Sequence, residues 1–596
     1  MDDEELRALI QEVNDRRLSR RRFTQLMVGL GLGAPLAGQM LAAAGVSYAQ
    51  STPVPSPTKR GGGGHLKTLW TDAQRLLNPL LAVGLKDYDG ARIFYEPLAS
   101  FDPDGNLAPV LAVGVPTIQN GAIARDGRSI TWRLKHDVVW HDGKPFTAAD
   151  VVFTWEYAAD PATGSPLLGT FQDIDRVDAV DAHTVKVVYK EPTPVPYAFC
   201  GLSMIIPKHL FESYKGDKAR EAPTNLKPVG TGPYRHVDFK PGDVIRAELN
   251  PTYHVPGRPF FDTLEVKGGG DAASAARAVL QTGEYDYAWN MQVEDEILRR
   301  LETGGKGKIV TAFGGSIEKI ELNQTDPWTE FDGERSSLRA PHPLLTDLAV
   351  RSALNVLVDR AALQEHIYGR SGSATANILN GPSRFRSNNT QWEFSIQRAN
   401  GILESAGWTR GPEGIRTKDG KKLKLVFQTS INAPRQKTQA IVKQAAAKAG
   451  VDIDLKSVVA SSYFSSDPSN PDTYTHFYAD LQMFTFTMTQ PDPGFFMRQF
   501  VSSEVASKAK KWQGYNTSRW RSEEFDRLFI LAKTELDPVK RATFFIRMND
   551  MLIQNVAAIP IVWRAKTTAI SNTLRGPDQS AWDSDFWRLA YWQRTT

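Results

Sequence analysis

Residues 140–155 read W-H-D-G-K-P-F-T-A-A-D-V-V-F-T-W. In this stretch Gly143 can supply the positive φ of a tight turn, and Asp142 can accept a hydrogen bond from the backbone that follows it. Thr147 is a favourable helix N-cap, and Asp150 lies three residues later, where its carboxylate can reach back to the cap N–H. The stretch therefore predicts a tight turn followed by a capped helix with an apolar face.

A second motif is P-V-G-T-G-P-Y at residues 228–234. Its two glycines and two prolines predict a sharp bend that leads into a strand over residues 234–239. Earlier in the chain, residues 88–98 predict a helix that Pro97 stops. Residues 101–107 predict a hairpin with Asp-Gly at its tip.

The segments D-G-K-P-F-T-A-A-D-V-V-F and P-V-G-T-G-P-Y resemble signatures of the extracytoplasmic solute-binding proteins of family 5. These are the dipeptide-, oligopeptide- and nickel-binding components of ABC importers. Weaker matches follow in the family's order, and the resemblance covers about residues 65–595. It implies an α/β fold of two hinge-linked lobes, the type II periplasmic-binding-protein fold with an extra subdomain in lobe one, and a ligand cleft between the lobes.

The composition agrees with a soluble globular protein of more than one lobe. The chain has 596 residues, of which 41% are apolar and 23% charged, and a chain of this length exceeds a single ordinary core. The formal net charge of +4 does not predict nucleic-acid binding. Cys200 is the only cysteine in the sequence, which excludes an intrachain disulfide and a thiolate metal cluster.

The N-terminal residues 1–49 predict a signal peptide. Arg20 and Arg21 precede x-Phe, a weakly apolar run covers residues 26–45, and S-Y-A at 47–49 provides a small-x-small cleavage site. The twin arginine resembles a Tat signal, which implies export through the Tat machinery. The alternative, a membrane anchor, is disfavoured because the run is rich in Gly and Ala. No cysteine follows it, so we expect a soluble periplasmic protein without a lipid anchor.

The patterns and the resemblance together predict a division of the mature chain. Residues 50–64 are rich in Pro and Gly and predict a flexible linker. The expected lobe I comprises residues 65–100, an extra subdomain at 101–205, residues 206–314 and a C-terminal return at 558–596. The expected lobe II spans 315–557, and residues 324–343 read as a surface insertion. The chain is expected to cross between lobes near 313–316, where Gly314, Gly315 and Ser316 are hinge candidates, and near 555–562.

Candidate ligand-binding residues follow from strand ends and from the resemblance. Ligands collect outside the carboxyl ends of parallel strands, which favours Trp289, Asn290 and Met291 after one predicted strand and Gln428 at the end of another. Residues 483–494 resemble the family's ligand-facing strand before its D-P loop. The remaining candidates come from this strand and from two other matching motifs, and they are Phe484, Phe486, Thr487, Thr489, Gln490, Asp492, Tyr515, Tyr95 and Glu96.

The resemblance also bears on the ligand. Peptide-binding members place an aspartate just before the D-P loop to pair with the peptide ammonium, and the matching position here is Thr489. A hydroxyl does not replace a buried carboxylate opposite a cation, so the usual anchor is expected to be absent unless Asp492 or Glu96 substitutes. A peptide and another polar solute both remain possible ligands.

Two other functions remain open as alternatives. The Tat-type signal is compatible with a periplasmic enzyme, although no G-x-S-x-G, H-E-x-x-H or Rossmann glycine pattern occurs in the sequence. A metal- or haem-carrying protein is the other alternative, with Asp142, His136 and His141 as weak candidate ligands. The preferred interpretation is a non-enzymatic binding protein without a cofactor, and its partners are the solute and an ABC permease.

Overall fold

The computed structural model describes residues 59–595 except 195, 196 and 466, together with Glu12 and Phe23. Internal contacts divide the chain into Met1–Pro55 and Ser56–Thr596, and the sheets lie in the second unit. The predicted signal residues Arg20 and Arg21 lie outside the described residues. Gly62 and Gly64 donate their N–H groups to the Asp262 carboxylate, each at 2.8 Å. The end of the segment predicted as a flexible linker is therefore bonded to the fold.

The strands, in chain order, are β1 (His65–Trp70), β2 (Ala99–Phe101), β3 (Leu107–Pro109), β4 (Ser129–Arg133), β5 (Ile174–Asp181), β6 (Thr184–Tyr189), β7 (Tyr234–Lys240), β8 (Val244–Leu249), β9 (Thr263–Gly268), β10 (Tyr287–Trp289), β11 (Gly307–Leu322), β12 (Gly372–Ala374), β13 (Thr409–Arg410), β14 (Arg416–Lys418), β15 (Lys421–Lys422), β16 (Lys424–Ser430), β17 (Asp452–Val458), β18 (Leu481–Met488), β19 (Ala558–Ser571), β20 (Leu574–Arg575) and β21 (Gln593–Arg594). 

The α-helices are α1 (Leu85–Arg92), α2 (Ala148–Ala158), α3 (Leu168–Phe171), α4 (Lys208–Phe211), α5 (Ala272–Leu280), α6 (Asp295–Glu302), α7 (Leu348–Val356), α8 (Arg360–Leu363), α9 (Ile396–Ser405), α10 (Ala433–Lys448), α11 (Ala460–Tyr463), α12 (Pro493–Met497), α13 (Glu523–Thr534) and α14 (Pro538–Gln554).

Within the described residues, the largest sheet has eleven strands in the order β17-β16-β18-β11-β19-β10-β1-β9-β8-β7, with β12 paired to β19. We call the side with β1 and β7–β10 lobe I, and the side with β12 and β16–β18 lobe II. Two smaller sheets, β2-β3 and β4-β6-β5, belong to the part of the chain between β1 and β7. The architecture is thus the mixed α/β, two-lobed arrangement that the sequence predicts, with both lobes joined through β11 and β19.

Strands β11 and β19 run through both lobes and pair with each other antiparallel along their length. Their register shifts between Phe313 and Ser316, so the hinge candidates Gly314 and Gly315 form a bulge inside one continuous strand. Strand β19 pairs with β12 of lobe II up to Arg564 and with β10 of lobe I from Ala569. The second crossing therefore lies later in the chain than the predicted residues 555–562.

The two signature motifs are bonded to each other through His141. The His141 backbone N–H donates to the Gly230 carbonyl at 2.8 Å. In the ring, Nε2 lies 3.0 Å from the Gly232 carbonyl, and Nδ1 accepts from the Gly230 N–H at 3.2 Å. Burial lowers the pKa of His141 to about 4, so the ring is neutral at pH 7, with the proton on Nε2. The capping box of Thr147 and Asp150 is also present at the start of α2.

The glycines of the second motif are required because of close packing. A Cβ at Gly232 would lie 2.7 Å from the carbonyl oxygens of Ile93 and Phe94, and a Cβ at Gly230 would overlap the Phe94 carbonyl. The Gly232 N–H donates to that Phe94 oxygen at 2.7 Å. The motif is thus the place where this segment crosses the end of α1.

Several predicted boundaries differ from the structure. The helix expected at 88–98 is α1, which ends at Arg92, because the chain turns there to pack under Gly230 and Gly232. Helix α7 is capped by Asp347, whose side chain accepts from the Ala349 N–H. The segment 324–343, predicted as a surface insertion, is exposed over residues 328–333, while Ser336 and Ser337 within it are buried.

Candidate ligand-binding cleft

A cavity of about 1030 Å³ lies between the two lobes, at the upper end of the roughly 300–1,000 Å³ that small-molecule sites occupy. Lobe I contributes Tyr88, the segment 165–170 and the residues after β10. Lobe II contributes residues 430–436, the end of β18 and the loop around Tyr515. The cavity is therefore placed where a bound solute would contact both lobes.

Most of the candidates from the strand ends and the D-P segment line this cavity. Trp289 and Asn290 follow β10, and the end of β18 and the loop after it supply the largest group. Two of the three predicted hinge residues also face it. The candidates in the lining are Trp289, Asn290, Phe486, Thr487, Thr489, Gln490, Tyr515, Gly314 and Ser316.

The other candidates do not line the cavity. Met291 and Tyr95 are buried in hydrophobic clusters of lobe I. Phe484 is buried against Tyr463 and Tyr474. Gln428 is buried and its amide donates to Gln482 at 3.1 Å. Gly315, Glu96 and Asp492 complete the group outside the lining, and the two acids have partners of their own.

Glu96 is the centre of a buried polar network. Its carboxylate accepts from the Thr231 hydroxyl at 2.9 Å and the Tyr253 hydroxyl at 2.8 Å, and it lies 3.0 Å from Nε2 of His254. Burial alone would raise the pKa of Glu96, but His254, Arg92 and the hydrogen bonds lower it to about 2. The carboxylate holds the P-V-G-T-G-P-Y segment against α1 and is not available to a ligand ammonium group.

Asp492 is held by an arginine far along the chain. Both terminal nitrogens of Arg541 contact its carboxylate, with NH2 at 2.9 Å from Oδ1. The same Oδ1 accepts from the Gly494 N–H at 2.8 Å and so caps α12. This bidentate pair leaves Asp492 as a structural residue of the D-P loop.

Contacts between the lobes close the cavity. The Tyr515 hydroxyl donates to the Pro166 carbonyl at 2.9 Å. The Asn432 amide contacts Gln292 at 2.9 Å, and Lys437 pairs with Glu294 at 2.5 Å. Each of these contacts joins a residue of one lobe to a residue of the other, so the structure represents the lobes in a closed arrangement.

Two buried arginines face the cavity and share one carboxylate. Nε of Arg435, in the first turn of α10, lies 2.7 Å from Oε1 of Glu318. NH1 of Arg564, on β19, lies 3.6 Å from Oε2 of the same residue. The Thr485 hydroxyl donates to Glu318 and accepts from both arginines. Burial would raise the pKa of Glu318, but the two guanidinium groups outweigh it and lower the pKa.

The floor beneath Trp289 contains a second charged group. The Trp289 indole N–H donates to Asp585 at 3.2 Å, and Lys566 lies 2.9 Å from the same carboxylate. Asp89 lies nearby, and burial followed by repulsion from Asp585 raises its pKa to about 8. The hydrogen bond to Asp585 fixes the orientation of Trp289 at the cavity surface.

The sequence motifs do not single out Arg435, Arg564 or Lys566. A signal existed for the last two, because they are charged residues within A-I-P-I-V-W-R-A-K-T-T-A-I, an otherwise apolar strand. Arg435 follows the N-cap Asn432 and Pro434, which is a common place for an exposed residue and gives no such signal.

The weak metal candidates have other partners. The His141 ring is bonded to Gly230 and Gly232, and the Asp142 carboxylate lies 2.7 Å from Nε2 of His209. Across the described residues, no group of three or more His, Cys, Asp and Glu side chains has a geometry that could hold a metal ion. A helix long and apolar enough to span a membrane is likewise not found among them.

Comparison with known proteins decides the family. The sequence model of the bacterial extracellular solute-binding proteins, family 5 (middle), matches residues 107–508. The chain belongs to this family. As a family 5 solute-binding protein, it is the substrate-binding component of an ABC importer and an extracytoplasmic protein. The family resemblance that the signature motifs predicted is thereby confirmed.

Two similar proteins carry peptide-binding names. The oligopeptide-binding protein AppA of Bacillus subtilis is 26% identical over 585 residues, which cover 96% of this chain and 100% of AppA. A putative ABC transporter peptide-binding protein of Brucella ovis is 25% identical over 504 residues, with 83% of this chain and 86% of that protein covered.

Solved structures confirm the fold. AppA in complex with a nonapeptide has a TM-score of 0.75 at 22% identity and covers 90% of this chain and 100% of its own. NikZ of Campylobacter jejuni in complex with Ni(L-His) has the same TM-score of 0.75 at 22% identity, with 89% and 99% covered. This family 5 solute-binding protein therefore has the two-lobed fold of these binding proteins.

Proposed function

We propose that this family 5 solute-binding protein captures a peptide or another small polar solute between its lobes and delivers it to a membrane permease without chemical change. The observation that carries the proposal is the cavity of about 1030 Å³, lined by residues of both lobes. A solute that contacts both lobes binds the closed state more tightly than the open state, and this difference drives closure. The lining offers aromatic surfaces at Trp289, Phe486 and Tyr515 and polar side chains at Asn290 and Thr489.

The bulge in β11 is the proposed hinge. Gly314, Gly315 and Ser316 lie where the register between β11 and β19 shifts, and a register shift locally weakens the ladder that joins the lobes. A small rotation of backbone dihedrals at this point would reorient one lobe relative to the other. The same position faces the cavity through Gly314 and Ser316, so that closure and ligand contact are coupled.

The ligand preference follows from the cavity charges. Thr489 lines the cavity where the family's peptide-binding members place an aspartate, and Asp492 and Glu96 have partners elsewhere. Simple peptides, as in the AppA–nonapeptide structure, are therefore one candidate class of ligand, and other polar solutes are the second. Export by the Tat route, with Arg20 and Arg21 as its signal, and a soluble periplasmic location complete the proposal.

A ligand screen tests the proposal. The protein, expressed from residue 50 onward, would be heated with a panel of peptides, sugars, sugar acids and metal–histidine complexes while its unfolding is followed. A solute that binds only the folded state raises the stability by about 2.7 kcal/mol at 100 times its Kd. The binding function predicts stabilisation and recovery of the intact solute by mass spectrometry. Conversion of the solute to a product would instead indicate an enzyme.

A cavity variant provides the matched control. Trp289→Ala removes an aromatic surface of the cavity, whereas Trp408→Ala removes a buried tryptophan of the separate lobe II core. We expect Trp289→Ala to lose the ligand-dependent rise in Tm. We expect Trp408→Ala to keep this rise, although its Tm without ligand should be lower than that of the wild type.

A double variant tests export. Arg20→Lys with Arg21→Lys should leave the protein in the cytoplasmic fraction if the Tat signal is used.

A further inference from the structure

Arg435 and Arg564 approach the cavity from different parts of the fold. Arg435 lies on α10 of lobe II, and Arg564 lies on β19, the strand that runs through both lobes. Only 5% and 8% of their side-chain surfaces are exposed, and both line the cavity. Two cations are thus removed from bulk water at the surface that a solute would contact.

The charge at this point is not balanced by the protein. In the part of the chain that the structure describes, Glu318 is the only carboxylate within 4.0 Å of either guanidinium group. The other acceptors of the two arginines, Ser430, Thr485 and Asn290, are neutral. Two positive charges and one negative charge leave an excess of one positive charge, and a buried charge is costly unless it is paired.

Other ion pairs of the cavity wall differ in this respect. Arg498 is paired with Glu504, with Nε and Oε1 2.8 Å apart, and Lys437 is paired with Glu294 at 2.5 Å. Each of these pairs is neutral as a unit. Lys566 is paired with Asp585, and Lys510 and Lys511 of the lining are exposed to solvent. The buried excess of positive charge therefore lies at the Arg435–Arg564–Glu318 cluster, and an electrostatic preference of the cavity would be set there.

We propose that the captured solute carries an anionic oxygen group, a carboxylate or a phosphate, that binds at Arg435 and Arg564. This inference rests on the proposed binding function and specifies its substrate class. Guanidinium groups bind planar or tetrahedral oxyanions through parallel N–H donors, and here the anion would supply the missing negative charge. Because Arg564 also contacts Asn290 of lobe I at 3.4 Å, an anion at this point would interact with both lobes and stabilise the closed state.

Matched pairs of acids and neutral analogues test the inference on the wild-type protein. The probes are N-acetyl-trialanine with N-acetyl-trialanine amide, galacturonate with galactose, and glycerol 3-phosphate with glycerol, measured by calorimetric titration and by the shift in Tm. We expect at least one acid to bind and its neutral analogue to bind roughly tenfold to hundredfold more weakly, the factor that a charge-assisted hydrogen bond provides. The pairs also distinguish a carboxylate from a phosphate.

Variants locate the effect. Arg564→Gln removes the excess charge and should lower the ratio of the two affinities, acid over neutral analogue, by the same factor. Arg564→Lys keeps the positive charge but loses the paired N–H donors of the guanidinium group. It should therefore retain part of the preference for the acid over its neutral analogue. Arg416→Gln is the control, because Arg416 is fully buried in lobe II, away from the cavity, where its guanidinium binds the carbonyls of Trp408 and Ala449.

The outcomes separate the two proposals. Equal binding of an acid and its neutral analogue would overturn the anion site and leave the binding function intact. An acid preference that persists unchanged in Arg564→Gln would also overturn it. If no member of any pair binds and native mass spectrometry of the protein from its own host shows no retained small molecule, both proposals fail.

Discussion

The Tyr515 hydroxyl donates a hydrogen bond to the Pro166 carbonyl across the cleft, with 2.9 Å between the two oxygens. Tyr515 lies on a loop of lobe II and packs against Phe486 and Phe495. Burial raises the pKa of Tyr515 to about 12, so the hydroxyl remains a donor at neutral pH. One side chain therefore both lines the cavity and holds the two lobes together.

Tyr515→Phe should weaken closure without removing the aromatic ring. Loss of a hydrogen bond of this kind costs about 0.5–1.5 kcal/mol, so we expect the Kd for a bound solute to rise roughly twofold to tenfold. Small-angle scattering of the ligand-free protein should show a larger radius of gyration. Tyr285→Phe is the control, because Tyr285 does not line the cavity. An unchanged Kd in Tyr515→Phe would show that the contact does not contribute to closure.

Gly315→Ala should destabilise the protein because the added methyl group has no space. A Cβ at Gly315 would overlap the Cβ of Met488 on the neighbouring strand β18. Overpacking of this kind costs about 1–3 kcal/mol, which urea unfolding can measure. Gly401→Ala is the matched control, since Gly401 lies within α9 with open space around it, and alanine there should stabilise by about 0.5–1 kcal/mol. Equal effects of the two changes would contradict the packing argument.

Thr489→Asp should change the ligand preference of the cavity. Thr489 lines the cavity, and a carboxylate there would provide a partner for a solute ammonium group, worth about 1.5–3 kcal/mol when hydrogen-bonded. We expect trialanine to bind more tightly than N-acetyl-trialanine in the variant, by roughly tenfold.

Asp492→Asn tests the structural role of the acid in the D-P loop. We expect the substitution to lower the free energy of unfolding by about 3–5 kcal/mol, because Arg541 loses its partner. An Asp492→Asn variant of normal stability but altered preference would contradict its structural role.

The buried ring of His141 predicts a pH dependence of stability. Its pKa is lowered from 6.5 to about 4 in the folded protein because of burial. Between these two values the unfolded chain binds a proton that the folded chain does not, so the free energy of unfolding should fall as the pH decreases from 6.5 to 4. His141→Gln keeps an acceptor and a donor and should remove this contribution. His366→Gln, at an exposed position, should leave the dependence unchanged, and a wild-type stability that is constant over this range would contradict the prediction.

Local patterns gave the parts of the fold that depend on neighbouring residues. The capping box of Thr147 and Asp150 and the hairpin that pairs Phe101 with Leu107 are present as predicted, because each is formed within a few residues. The two-lobed α/β architecture is predicted from the signature motifs, which occur in the same order as in the family. The length of β11 could not be predicted, because its continuity through Gly314 and Gly315 depends on pairing with the distant β19.

The sequence predicts cavity-lining residues correctly where they follow the end of a strand. It does not predict which candidates are bonded instead to residues that are distant in the sequence. Trp289 and Thr489 line it, but Glu96 is engaged by His254, 158 residues away, and Asp492 by Arg541, 49 residues away. The sequence does not show whether a given carboxylate is already paired with a cation of the same protein. For the same reason the Arg435–Arg564–Glu318 cluster, which joins three separate segments, could be recognised only from the structure.

The sharing of β11 and β19 has a consequence for how the molecule comes apart. Residues 315–557, excised as a fragment, would lack the β19 strand that pairs with Ser316–Glu321 in the whole protein. The fragment would therefore present a long unsatisfied edge, which favours self-association. Neither half can be a free-standing module, and heat should melt both halves in one calorimetric event.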